Sequence, residues 1–578
     1  MDAGLLPRHS LEALVPSCRW AGQSAWTVLD TGFAAITPFL GCWQRWHTDP
    51  QRPRMLHYVG MLTPAQARQL PALTQAAAQD TLVWRPLALA LAQATQDLPQ
   101  GQHRLLLAQG QLSLTLCVGD TAALLAEQQF LADTVWAHGE LPAMDKWLAK
   151  ALARCSRRGA SLVLRSSAEA ATGALSEAGF VDLATTPDWH EARFSPRWSL
   201  GQRDASPKPL SAQRCTVIGA GLSGASVAYA LARRGWQVTV LDRHSGPAGG
   251  ASGLPAGLVV PHVSADDSPR SRMSRVGARL MLQHAAALLL DGEDWHASGV
   301  AEADLEAGTS RWHAAAAWIR PARLVEAWLA HEGIQCRYGV QASALAYRAG
   351  CWQVRDASGT VHAESELVVV ANATACVPLM LAPAHRGYLG QGLPERLETL
   401  HAVHGTVSYG PHPADTPAAH WPAHPWNGHG CFLPDVPLPE GRGWLAGSTF
   451  EPDRIPEQAG HRLAPLDAQH GANSRRLQQL LPEVGADLEP LFARGLVKHW
   501  SATRCVTHDR LPLVGPLQDS GGDIPATLWI HAGMGARGLT FSALGAELLA
   551  ARLGGEPWPL ESSLARSLDV RRPKRKRS

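Results

Sequence analysis

Three glycines, Gly219, Gly221 and Gly224, form the pattern G-x-G-x-x-G inside "CTVIGAGLSGASVAYALARRGWQVTVLD", and Asp242 closes that stretch. An apolar strand precedes the first glycine and a helix follows the third. The first glycine permits a tight turn, the second lets backbone approach a pyrophosphate, and the third lets helix pack on strand. Exposed amides and the positive end of the helix dipole then stabilise the phosphates. Asp242, at the end of the next strand, stands where a carboxylate meets ribose hydroxyls. These residues specify a dinucleotide site of either the NAD or the FAD kind.

Other segments choose between the two. "GPAGGASGLPAGLVVP" brings Gly250, Ala251, Ser252 and Gly253 directly after the fingerprint. Such a loop of small residues lets backbone lie against an isoalloxazine ring, and no nicotinamide site needs it. "LVVVANAT" is an apolar strand that runs into Ala371 and Asn372. "LWIHAGMGARGLTFSALGAELLAARL" offers a second glycine turn, with Gly533, Gly535, Arg537, Gly538 and Leu539 opening a helix. Its amides and dipole can stabilise negative charge on one side of a flavin. The cofactor expected here is FAD.

The elements that must position these residues begin far upstream. Residues 1–194 alternate strands, such as "WTVLDTG" and "MLHYVGML", with helices, such as Thr63–Gln79 interrupted at Pro71. "RLLLAQGQLSLTLCVGD" reads as two strands around a Gln-Gly turn. That alternation predicts a mostly parallel sheet. A polar, proline-bearing linker, 195–214, precedes a second domain at 215–564, and a basic tail covers 565–578. The fold class is α/β: a Rossmann-like N-terminal domain, then a Rossmann-type FAD domain with an inserted α+β substrate subdomain. The chain of 578 residues is too long for one core.

The bulk numbers exclude several classes. Composition is 46% hydrophobic and 18% charged, and no run is long and apolar enough for a membrane span. The start lacks a signal-peptide layout. Ten scattered cysteines without a C-x-x-C pair suggest neither zinc nor a redox motif, so no metal is expected and a cytoplasmic setting fits. Net charge is +2, yet "RRPKRKRS" carries six cations in eight positions, either a solvated tail or a phosphate-seeking arm. Most of the 21 tryptophans read as core or loop packing rather than base-stacking surfaces.

The order and spacing of the glycine segments resemble the FAD-dependent D-amino-acid-oxidase superfamily over some 350 residues. That resemblance implies oxidation at a carbon next to an amine nitrogen, with no general base needed beyond an unprotonated amine. "SATRCVTHDRLPLVGP" resembles the glycine-oxidase-type segment, which implies that Arg504 anchors a substrate carboxylate, with Asp509, Pro512 and Gly515 as scaffold. A planar guanidinium matches two carboxylate oxygens.

With a domain in front, the chain is further identified as resembling the bacterial bifunctional tRNA wobble-uridine enzymes, the MnmC family. "GGASG", "GTVSYGP", "TRCVTHDRLPLVG" and "GARGL" carry that resemblance. It implies a tRNA substrate bearing 5-carboxymethylaminomethyl(-2-thio)uridine at the wobble position. FAD-dependent oxidation of the glycine-like C–N bond, followed by imine hydrolysis, releases glyoxylate and leaves an aminomethyl group. Dioxygen is the implied electron acceptor, and a monomer is expected. "GHGCFLP" and "WLAGSTFEPD" read as pocket strands.

The family's N-terminal half uses S-adenosylmethionine to methylate the new amine. Its glycine-rich turn appears here as "DTGFAAITPFLGCW", which keeps Gly32 and Phe33 but places Ala34, Ala35 and Ile36 where glycines and threonine belong. "HYVGMLTP" ends its strand without the ribose-binding acid, and His138 stands at an expected aspartate. Asp120 alone persists as an adenine-side contact. These departures predict a domain that binds S-adenosylmethionine weakly or not at all and serves as an RNA-docking scaffold. Two rival readings remain: a free glycine or D-amino-acid oxidase with an unrelated N-terminal extension, and a non-catalytic flavin-containing RNA-binding protein.

Overall fold

The structure, a computed structural model, describes residues 17–34, 36–80, 84–137, 145–165, 169–185, 189–200, 209–382, 394–413, 421–453, 463–518 and 526–573. The chain divides into two compact units, one of residues 1–211 with 550–565 and one of 212–549 with 566–578.

The first unit is built on eight strands: β1 (Ala25–Asp30), β2 (Met55–Leu62), β3 (Gly101–Leu107), β4 (Leu112–Val118), β5 (Ala132–Ala137), β6 (Ser156–Arg165), β7 (Phe180–Thr185) and β8 (Trp189–Phe194). They order as β3-β4-β2-β1-β5-β6-β8-β7. The five strands from β4 to β6 run parallel, and antiparallel pairs close both edges. Alternate residues of each strand enter opposite cores. Val28 and Tyr58 join one hydrophobic cluster, while Leu29 and Val59 join the other. A parallel sheet covered on both faces needs strands that are apolar throughout, which "WTVLD" and "MLHYVGML" supply. The two strands expected around Gln109–Gly110 are β3 and β4. Helix Pro64–Asp80 runs through Pro71 as one element. Leu70 and Thr74, both fully buried, anchor the turns on either side of that proline.

The second unit holds a six-stranded sheet in the order Ile334–Arg337, Gln237–Leu241, Arg214–Ile218, Leu367–Val370, Leu528–Ala532, Leu513–Pro516. All pairs are parallel except the last. A second sheet of eight strands, largely antiparallel, includes His401–Pro411, Gly430–Leu438, Gly441–Gly447 and Lys498–Val506. This pairing of a parallel nucleotide sheet with an antiparallel second sheet is the α/β class expected. Helices Leu222–Arg233 and Gly538–Gly554 are joined by a buried network in which Arg233 and Arg234 share the carboxylate of Glu547.

The C-terminal segment differs from the sequence reading. Residues 550–565 cluster with the first unit. There Arg104 of β3 donates to the Pro557 carbonyl and Glu127 accepts from Ser562 Oγ at 2.9 Å. In the expected tail, Leu568, Val570 and Arg572 are buried. Lys574–Ser578 lie outside the described residues, as does His138.

Candidate active site

Strand Arg214–Ile218 ends at Gly219, whose φ of +114° is one that residues with a Cβ avoid. A Cβ there would stand 2.6 Å from the Ala371 carbonyl oxygen, and one on Gly224 would stand 1.7 Å from the Gly219 carbonyl oxygen. Helix Leu222–Arg233 therefore starts flush against its strand. Ser252 Oγ accepts from the Leu222 amide at 2.9 Å, tying the small-residue loop to that helix start. Asp242 Oδ2 accepts from the Ala220 amide at 2.7 Å, and its Oδ1 accepts from the His244 amide at 2.8 Å. Acid and glycine loop thus hold each other in register.

One cavity of about 690 Å³ gathers these segments. Gly219, Gly221, Asp242, Gly250, Ala251 and Ser252 line it from the amino-terminal side. Ala371, Asn372, Gly533, Gly535, Gly538 and Leu539 line it from the returning strands, and Arg504 closes the group. Three expected residues do not line it. Gly224, in the first turn of helix Leu222–Arg233, faces the Gly219 carbonyl, Gly253 faces the Ala248 carbonyl, and Arg537 does not line the cavity. Burial and the nearby guanidinium groups of Arg270 and Arg510 push the Arg537 pKa down.

Arg504 lies on strand Lys498–Val506, opposite Val403 of strand His401–Pro411. Its Nη2 donates to Ser448 Oγ at 2.8 Å, and the Phe450 ring stacks 4.6 Å from its central carbon. Its Nη1 is shielded from solvent and has no hydrogen-bond partner among the described residues. Burial pushes the guanidinium pKa down, opposed only by nearby Cys431. Among the described residues no carboxylate pairs with it. A Cβ on Gly405 would lie 2.6 Å from Nη2, so a bare backbone makes room for the guanidinium. Gly405, Ser448 and Phe450 fall within segments quoted from the sequence, but their approach to Arg504 is set by the fold rather than by spacing.

The scaffold residues explain how that strand is held. Asp509 accepts from Arg572 Nη2 at 2.8 Å and Nε at 2.9 Å, and Arg396 Nη1 lies 3.3 Å away. Burial raises the Asp509 pKa, but the Arg572 bonds outweigh it and hold the carboxyl below its ordinary value. Arg572 also donates to the Pro512 carbonyl at 2.8 Å, and Gly515 lies in strand Leu513–Pro516. Gly428, Cys431, Leu445 and Gly447 from the expected pocket strands line the same cavity.

In the first unit the loop after β1 closes on protein. Phe33 is fully buried against Phe39 and Tyr58, with ring centroids 5.5 and 5.9 Å away. Asp30 accepts from Tyr58 Oη at 2.6 Å and from the Gly32 amide at 2.8 Å. Ile36 is buried in the same core, with Ala34 packed on it, while Ala35 lies outside the described residues. Asp120 is exposed and caps helix Thr121–Ala126 through the Ala123 amide at 2.8 Å. Backbone open to a methionine moiety and an acid at the end of β2 are missing from these residues. They do not fit S-adenosylmethionine.

The model of the FAD dependent oxidoreductase family matches residues 214–315 and 300–552. The tRNA 5-methylaminomethyl-2-thiouridine biosynthesis bifunctional protein MnmC of Albidiferax ferrireducens is 42% identical over 96% of this chain and 94% of its own length. The chain belongs to the MnmC family. The protein of the same name from Polaromonas naphthalenivorans is 41% identical, covering 95% of this chain and 90% of its own. A crystal structure of glycine oxidase from Geobacillus kaustophilus superposes with a TM-score of 0.46 at 15% identity, covering 63% of this chain and all of that one. The family match makes the second unit an FAD-dependent oxidoreductase. Its cavity fits such a group: bare glycine backbone faces it, and Asn372 Oδ1, buried and unpartnered, stands ready to accept a hydrogen bond.

Proposed function

We propose that the protein oxidises the wobble-uridine side chain of tRNA, removing the carboxymethyl group of 5-carboxymethylaminomethyl(-2-thio)uridine to leave the 5-aminomethyl base. The observation that carries this reading is Arg504, a shielded cation without a counter-ion among the described residues, in the cavity that the cofactor loops line. A buried charge without a partner costs several kcal/mol, and a ligand carboxylate relieves that cost. FAD, when bound, supplies the two-electron acceptor.

In this reading Gly219, Gly221, Asp242, Ser252 and Asn372 hold the dinucleotide. Arg504 grips the glycine-like carboxylate with a forked pair of hydrogen bonds, which fixes the C–N bond to be oxidised. Water then hydrolyses the substrate imine to glyoxylate and the aminomethyl base. Dioxygen serves as electron acceptor, and the enzyme works as a monomer in the cytoplasm. Methyl transfer from S-adenosylmethionine is absent or slow, because the first unit lacks a fitting loop.

Anaerobic reduction of bound flavin tests the assignment. tRNA carrying the carboxymethylaminomethyl base bleaches the flavin if the proposal holds. Bleaching by free glycine instead selects a free amino-acid oxidase, and bleaching by neither selects a non-catalytic RNA-binding flavoprotein. Labelled S-adenosylmethionine with aminomethyl-bearing tRNA tests the first unit, where robust methyl transfer overturns the reading of its loop.

A further inference from the structure

Helix Lys146–Arg154 in the first unit is amphipathic, with Leu148, Ala149, Leu152 and Ala153 buried. Trp147 breaks its polar face. It is 67% exposed, where a solvated helix ordinarily carries charge. Lys146 Nζ lies 5.3 Å and Lys150 Nζ 5.7 Å from its ring centroid. Both distances fall within reach of a cation–π attraction. Asp145, the acid next to them, is the helix N-cap, and its carboxylate accepts from the Trp147 and Leu148 amides at 2.9 and 2.8 Å. No ion pair holds either lysine among the described residues. Four exposed side chains, Asp145, Lys146, Trp147 and Lys150, therefore present one flat ring, two cations without an ion pair among the described residues and one acid already occupied.

A flat aromatic with two exposed cations beside it suits an unpaired nucleobase with phosphates on either side. A protein partner would seek a wider apolar patch, and Trp147 is a single exposed ring on an otherwise charged face. We propose that Lys146, Trp147 and Lys150 form a stacking platform for an unpaired base of the tRNA, with the two lysines on its flanking phosphates. The proposal rests on tRNA being the substrate, and it gives the first unit an RNA-binding task that needs no S-adenosylmethionine.

Binding of purified tRNA to the full-length flavoprotein, measured over a range of salt, tests it. Trp147→Ala weakens binding about tenfold, and Trp147→Phe recovers most of that loss. The double variant Lys146→Ala/Lys150→Ala lowers the slope of log affinity against log salt by about one to two. Because all three side chains are exposed, the melting temperature stays at the wild-type value. If Trp147→Ala binds tRNA as tightly as wild type, or the lysine variant keeps the full salt slope, the platform is overturned. Equal losses in the Ala and Phe variants overturn stacking as well. Wild-type protein that binds no tRNA at all removes the substrate reading itself, which separates the two failures.

Discussion

Two loops in this chain occupy equivalent places, each following the first strand of a parallel array, and they have gone opposite ways. After Ile218 the backbone is bare. Gly219 and Gly221 line a cavity, and Asp242 reaches that cavity while steadying the turn. After Asp30 the side chains have closed the corresponding space. Phe33 and Ile36 are buried, and the Asp30 carboxylate is taken up by Tyr58 and Gly32. The strand–loop–helix frame is thus indifferent to nucleotides. Binding depends on the absence of Cβ atoms at two or three positions and on an acid that lines the cavity. Lacking these, the same frame packs against itself and gains stability from aromatic burial.

The largest test of that contrast is Gly224→Ala. Its Cβ would meet the Gly219 carbonyl oxygen at 1.7 Å. The helix cannot stay flush, and the purified protein is expected to lose its flavin absorbance altogether. Next comes Arg504→Met, which leaves flavin content intact but lowers kcat/KM on modified tRNA about a thousandfold, since a buried charge pair with the substrate is lost. Wild-type turnover in that variant would break the carboxylate assignment.

Asp509→Asn probes the scaffold behind Arg504. Removing one partner of a largely buried charge cluster lowers stability by about 3 kcal/mol in denaturant titrations. The sign of the pH effect follows from the depressed carboxyl. Its contribution is complete above the ordinary carboxylate value of 3.8 and is lost as pH falls through the lower folded value. The wild type therefore loses stability in that acid window, and the Asn variant lacks this component.

The smallest effect sharpens the other loop. A Cβ on Gly60 would stand 2.5 Å from the Phe33 ring. Gly60→Ala should cost about 2 kcal/mol by overpacking, with oxidase activity unchanged. A variant as stable as wild type would mean that Phe33 can swing aside, and that the loop can open.

Much of this was legible in the residues. The fingerprint glycines, Asp242 and the loop at Gly250–Ser252 follow local rules of turn and helix start, so spacing alone brings them to one cavity. Helix Pro64–Asp80 was less legible, since local propensity argues against Pro71 while burial of its neighbours overrides it. Arg537 shows the limit of motif reading. It lies within a glycine turn that lines the cavity, yet stands outside the lining set near Arg270 and Arg510. Gly405, Ser448 and Phe450 lie in segments that the sequence offered, but their link to Arg504 was not legible, since 54 to 99 positions separate each from Arg504 along the chain and only the fold unites them.

By itself the sequence determined the two nucleotide-type folds, the flavin loops and the departures in the loop after Asp30. Those features are written in the presence or absence of Cβ atoms over short spans. Only the tertiary structure decided that Arg504 lies shielded with no carboxylate partner among the described residues, that residues 550–565 belong with the first unit, and that Trp147 stands in solvent beside two lysines. Burial and pairing depend on which distant strands meet, and no local pattern encodes that.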